Sequence, residues 1–215
     1  MPVPAQTISS GRVAAAPRLS DEQLRERMES LLRQHPCDYD YPAIRAFLMG
    51  EAVAPVAMDP MELCTVFWDE QALVFADAAA RNAFHQTFAL LWNRLQEHTR
   101  KKSPFRLTPL ALPGTGAQLE HYLNVRGSEF SSLHAGFLQG RDSSELDDAR
   151  NALVATLSAG SFVVQRLWGE VYVAAEDDIL PRDVVLTVRR FETTANRDVA
   201  EFVWKAARLR QSVRS

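Results

Sequence analysis

The stretch from Glu129 to Trp168 restricts the fold more than any other. It reads as a short helix closed by the turn Gln139-Gly140-Arg141-Asp142, followed by a long helix with a smooth face. Along that second helix Ala152, Ala155, Ser158, Ala159, Gly160 and Ser161 stand beside Leu146, Leu153, Leu157, Val164 and Leu167. Small residues admit a close neighbour and the larger ones fill the seam. A hairpin of this kind needs other helices to cover it, and the expectation is that the rest of the chain packs around it.

The flanking segments supply such helices. Leu19-Ser20-Asp21-Glu22-Gln23 is a helix start, with Ser20 and Gln23 placed for a capping box and Leu19 for a staple onto Leu24. Leu24, Met28, Leu31 and Leu32 fall on one face, and His35-Pro36 ends the run. Asp40-Tyr41-Pro42 opens a second helix with Ile44, Phe47 and Leu48 inward, and Gly50 marks its expected end. A third helix is expected from Asp59-Pro60 through Met61, Leu63, Cys64, Val66, Phe67 and Trp68. Residues 77 to 99 are the most regular amphipathic segment, with Phe84, Phe88, Leu91 and Leu95 at helical spacing. Pro104, Pro109, Pro113, Gly114 and Gly116 then turn residues 103 to 116 into a loop, and Gln118 to Val125 resumes a helix.

Two late segments read both ways. Trp168 to Ala175 extends the long helix or forms a short extended piece, and Val184 to Val188 has strand composition inside a helical period. Helix is favoured for Val184 to Val188 because no other segment offers a partner strand. Asn196 is placed as the cap of a last helix carrying Val199, Phe202, Val203 and Ala206. The fold class is therefore all-α: a single multi-helix, bundle-like domain over residues 19–210, behind a flexible, disordered lead over 1–18 and before a tail over 211–215.

Composition narrows the function classes. The net charge of -3 gives no basic field for nucleic acid. The basic residues are nearly all arginine, 21 against three lysines (Lys101, Lys102 and Lys205), and their scatter is not a binding site. No apolar run reaches the length of a membrane span, and Met1 to Pro17 lacks the apolar centre of a secretory signal. Cys37 and Cys64 read as free thiols and the location as cytoplasmic.

No catalytic constellation stands out. The five histidines are widely separated, and His35 with Cys37 lacks further ligands nearby, so no metal is assigned. Ser131 and Ser132 lie near His134 in sequence but point to different sides of a helix. Gly114-Thr115-Gly116 lacks the lysine and the preceding strand of a phosphate loop. Asp147-Asp148 suits a helix start, and Glu176-Asp177-Asp178 an exposed loop. No catalytic residue and no cofactor is assigned.

Two segments resemble each other and a known family. Ala46-Phe47-Leu48-Met49-Gly50, followed by Ala54-Pro55 and Trp68, resembles the early G-F-L-x-G region of the YecA/YgfB-like bacterial proteins. Ala135-Gly136-Phe137-Leu138-Gln139-Gly140 resembles their later W-x-x-G-F-L-x-G segment. The resemblance spans residues 41 to 167. Ala46 stands where the family often has glycine, Phe130 stands near the place of the tryptophan, and the cysteine-rich zinc motif of some members is missing. The resemblance implies an all-helical fold and carries over no catalytic residue and no metal.

The functional expectation is a non-enzymatic protein-interaction module, an adaptor or regulatory subunit whose partner is another protein or a second copy. Trp92 and Trp204, beside their apolar stripes, are the candidate anchors, and Arg100, Lys101 and Lys102 form the candidate charged patch. Two alternatives stay open. One is a nucleic-acid-associated regulator using that patch and the C-terminal arginines. The other is an enzyme whose pocket gathers distant residues such as His85, His121 or His134.

Overall fold

The computed structural model describes residues 19–55, 58–59, 62–68, 73–139, 148–171 and 179–213. Among them are seven helices: α1 (Asp21–Gln34), α2 (Tyr41–Val53), α3 (Cys64–Phe67), α4 (Ala78–Glu97), α5 (Gly116–Leu138), α6 (Asp148–Val171) and α7 (Arg182–Val213). No strand occurs among the described residues. One isolated bridge joins Thr115 to Ile179, where Leu180 N–H also donates to Gly114 O at 3.0 Å. The protein is all-α, as its periodicity requires.

The helix starts follow their caps. Ser20 and Gln23 form the full capping box on α1, and the Asp40 carboxylate accepts from Ala43 N–H at the head of α2. Asp77 caps α4, and Thr115 caps α5. The α2 C-terminus is held from a distance, since Arg210 of α7 donates to Ala52 O at 2.6 Å.

The centre of the bundle is the crossing of α2 and α5, not the hairpin of α5 and α6. Gly50 does not end its helix. It lies inside α2, and a Cβ there would stand 2.2 Å from Leu133 O and 2.7 Å from Phe137 N. Reciprocally, a Cβ on Gly136 would stand 2.0 Å from Phe47 O. The two F-L-x-G-like segments thus meet each other, backbone on backbone. No side chain larger than hydrogen fits at either point.

Several expected boundaries merge or shift. The segments expected at 118–125 and 129–139 are one helix, α5, because no glycine or proline in its interior ends it. The segments before and after Asn196 are likewise one helix, and Asn196 is internal rather than a cap. Val184, Val188, Phe191, Ala195, Val199 and Phe202 are buried along one unbroken face, so Val184 to Val188 is helical. That helix also reaches into the expected tail, as far as Val213. The third helix shortens to one turn, Cys64–Phe67. Its Phe67 and Trp68 still enter the core beside Phe84 and Phe88, and the Trp68 indole N–H donates to His35 O at 2.8 Å.

The smooth face of α6 is only partly used. Gly160 admits the Phe130 ring, and Leu153, Leu157, Val164 and Leu167 are buried. Ala152, Ala155, Ser158 and Ala159 instead face outward, with Phe162 67% exposed on the same side. The expected lead over 1–18, Pro60 and Met61, the turn from Gly140 to Asp142, Leu146, Asp147, Tyr172 to Ala175, the acidic run at 176–178 and Arg214 lie outside the described residues.

Gly136→Ala is expected to lower unfolding stability by about 3 kcal/mol, because the methyl meets backbone that cannot step aside. Gly169→Ala in α6, with nothing within 4 Å of its Cβ position, is expected to raise it by about 0.5 kcal/mol. Urea denaturation of the two variants checks both signs.

Candidate functional site

Between α4 and α5 the prolines forbid helix, and residues 103–115 run as an irregular strap across the bundle. Phe105 and Leu107 anchor it in the core. Burial obliges its backbone polar groups to find partners. Side chains from three helices provide them. Arg45 of α2 donates to Arg106 O at 2.8 Å, the Asn196 side-chain oxygen of α7 accepts from Leu107 N–H at 2.9 Å, and Glu129 of α5 accepts from Thr108 N–H at 2.7 Å. Arg126 of α5 donates to Thr108 O at 2.8 Å.

Behind the strap these side chains form one ionic network. Arg126, fully buried, donates through Nε and Nη2 to the Glu192 carboxylate at 2.9 and 2.7 Å and through Nη1 to Glu129. The Tyr122 hydroxyl donates to Glu192 at 2.6 Å, and Asn196 Nδ2 donates to the same carboxylate at 3.0 Å. Burial disfavours the Arg126 cation, but Glu129 and Glu192 outweigh it and hold the pKa above the usual value. Burial raises the Glu129 carboxyl against the opposing pull of Arg126 and the Thr108 amide. Burial, then the bond to Glu192, keeps Tyr122 a protonated donor. A buried network with this many charged hydrogen bonds is rigid, so it fixes the strap.

Cavities open on both sides of the strap, and Pro104 borders each. One, of about 340 Å³, lies toward α1, α2 and α4, with Arg45, Tyr41, Arg94 and His98 in its wall. The other, of about 310 Å³, lies toward α7 and is lined by His98, Arg100, Lys101, Pro104, Glu201 and Trp204. In this cleft two cations approach the half-buried Trp204 indole. Lys101 Nζ is 4.9 Å and the Arg208 guanidinium 5.0 Å from the ring centre.

The structure therefore gathers three of the five residues expected to mediate interaction, Trp204, Arg100 and Lys101, at one cleft. Lys102 is exposed and is not part of its lining. Trp92 lies half-buried on α4, packed against the core. The two described C-terminal arginines, Arg208 and Arg210, take different places. Arg210 caps α2, whereas Arg208 stacks on Trp204.

The other candidates take ordinary places. His85 contacts Phe75 and Phe84, whereas His121 lines a separate cleft with Arg25, Glu29 and Tyr39. Cys64 is a buried free thiol, pushed up to about 12 by burial, and Cys37 is a half-buried free thiol raised by the same cause. Gly114 N–H donates to the Gln118 side chain at 2.7 Å, which makes the glycine pair part of a helix start. Among the described residues no group of three His, Cys, Asp or Glu is arranged to hold a metal.

Sequence reasoning missed Arg45, Arg126, Glu129, Glu192 and Asn196. A signal for one of them existed. Arg126 occupies an apolar-stripe position between Leu119, Tyr122 and Leu123 on one side and Phe130 and Leu133 on the other. A charge on such a stripe requires a buried partner.

Compared with protein-family models, with curated proteins and with solved structures, the chain finds no match.

Arg126→Met is expected to cost about 3 kcal/mol or more, because Glu129 is left buried without its cation. Glu129→Gln in the Arg126→Met background is expected to recover part of that loss, read as a double-mutant cycle by chemical denaturation. Acid titration gives a second check. Burial lowers the pKa of His98 and of His134, so the unfolded chain takes up these protons first as pH falls below about 6.5. Stability is expected to decline from there down through the lowered folded values. The decline should be shallower in a His98→Gln/His134→Gln variant.

Proposed function

We propose that the protein is a non-enzymatic interaction module, an adaptor or regulatory subunit that engages another protein through the cleft at Trp204. The observation that carries this reading is the placement of that indole. It is half-buried, flanked by Lys101 and Arg208, and borders an open cleft with apolar edges at Pro104 and Ala200. A ring held in place by two cations loses little freedom when a partner covers it, and tryptophan and arginine are the residues on which interface energy concentrates. The basic rim favours an acidic segment as the partner. The rigid strap presents Pro104 to that partner in a fixed position.

The resemblance of the two glycine segments to the YecA/YgfB-like proteins supports a bacterial origin and a helical module without catalytic residues. Two free cysteines fit a reducing, cytoplasmic setting, and no described helix is long and apolar enough to cross a membrane. The partner can also be a second copy, since Phe162 offers an apolar contact on the alanine side of α6.

One observation favours a second reading. An aromatic ring between cations is also a platform for a nucleic-acid base. Affinity capture of the tagged full chain from its own organism, at moderate and at high salt, separates the two. The expected result is a stoichiometric protein that survives high salt and is lost in Trp204→Ala and weakened in Lys101→Glu. Nucleic acid that is lost at high salt would replace this reading with the second. A partner unaffected by either substitution would remove the cleft from the proposal.

A further inference from the structure

The cavity on the other side of the strap has an arginine whose role in the fold uses little of its capacity. Arg45 gives one donor, Nη1, to Arg106 O and lays its guanidinium 4.4 Å over the Phe105 ring. A guanidinium carries five N–H groups in a planar fork, and among the described residues no carboxylate pairs with this one. Its environment makes the lack of an anion costly. Burial lowers its pKa, only partly offset by Tyr41, Glu129 and Asp21, and Arg126 adds a smaller repulsion.

The surrounding wall is positive on balance. Four arginines, Arg25, Arg45, Arg94 and Arg106, face two acids, Asp21 and Glu22. Glu29 holds Arg25 at 2.7 Å, and Asp21 holds Arg94 at the same distance. Arg106, exposed at the strap, makes no ion pair among the described residues, like Arg45. His98, also in the wall, is kept neutral by burial and adds no charge near pH 7. The rest of the wall is apolar: Pro104 and Pro109 are exposed at it, and Leu24, Leu91, Leu95 and Leu107, nearly fully buried, back it.

We infer that this cavity binds a small organic anion, with its carboxylate or phosphate taken by Arg45 and Arg106 and its apolar body laid against the apolar wall at Pro104 and Pro109. The planar fork of Arg45 suits either headgroup in two-point contact. The volume of about 340 Å³ limits the ligand to a compact molecule of metabolite size, at the small end of ordinary ligand sites. The Tyr41 hydroxyl, kept protonated by burial, is a further donor in the wall. The site shares His98 and Pro104 with the Trp204 cleft but takes its cations, Arg45 and Arg106, from the other side of the strap.

Isothermal titration of the full chain with three ring compounds tests the inference: phenylacetate, phenyl phosphate and the neutral phenylacetamide. At least one anion is expected to saturate the protein while the amide does not, and the anion that binds tighter identifies the headgroup. Arg45→Gln is expected to weaken that anion by about tenfold or more, and Arg106→Gln by a smaller factor. Circular dichroism establishes that Arg45→Gln is folded. If it is not, the exposed variants Arg106→Gln and Arg106→Glu decide, with weakening expected in both and strongest in the second. The inference is overturned if neither anion saturates at about 10 mM. It is equally overturned if the amide binds as well as the anions, or if the folded variants bind as the parent does.

Discussion

Everything in this bundle depends on how closely α2 and α5 approach. At Gly50 and Gly136 one helix backbone rests on the other, within distances that exclude a methyl group. Such contact does more than bury area. Two glycines facing each other's backbone allow one register and no sliding, whereas a seam of leucines tolerates several. With α2 and α5 locked, the positions of Phe47, Leu133 and Phe137 follow, and α7 is brought to the α5 face that carries Phe137 through Phe202. Arg45 projects from one of the locked helices, and Arg126 and Glu129 from the other. The polar architecture thus inherits its precision from the apolar crossing.

That polar architecture solves a problem the prolines create. A segment that cannot be helical must cross a helical protein, and its buried amides find no ladder. Side chains take the place of a neighbouring strand: two arginines, a glutamate and an asparagine bind backbone groups of residues 106 to 108. The strap then divides the surface into two different openings. One has an indole beside two cations, and the other has a half-buried guanidinium stacked over Phe105. Their chemistries differ because different helices complete them.

Much of the fold could be read from the chain because its signals are local. Ser20, Asp40 and Asp77 cap where cap chemistry says they should, and the stripe from Val184 to Phe202 has one period throughout. Gly50 and Asn196 misled for a shared reason. Each residue type punctuates helices, yet here each lies inside one because of a partner about ninety residues away in the chain, Gly136 for the first and Leu107 for the second. The site was harder to read. Trp204 and Lys101 stood out singly, but their meeting depends on the turn that follows α4 being carried to the side of α7. Arg45 was passed over, although it and Glu51 are the only charges in a helix, α2, that is otherwise apolar and buried on nearly every side; its place against the strap shows only in the fold.

The network around Arg126 also sets an order of assembly. Glu192 lies 66 positions beyond Arg126, and the arginine that caps α2 lies 158 positions beyond Ala52. As the chain leaves the ribosome, α2 and α5 can meet long before α7 exists. During that interval Arg126 has Glu129 but not Glu192, the strap lacks Asn196, and the end of α2 is open. Until α7 joins, the helices before it enclose a half-satisfied polar interior, and α7 brings the carboxylate, the amide and the guanidinium that complete it.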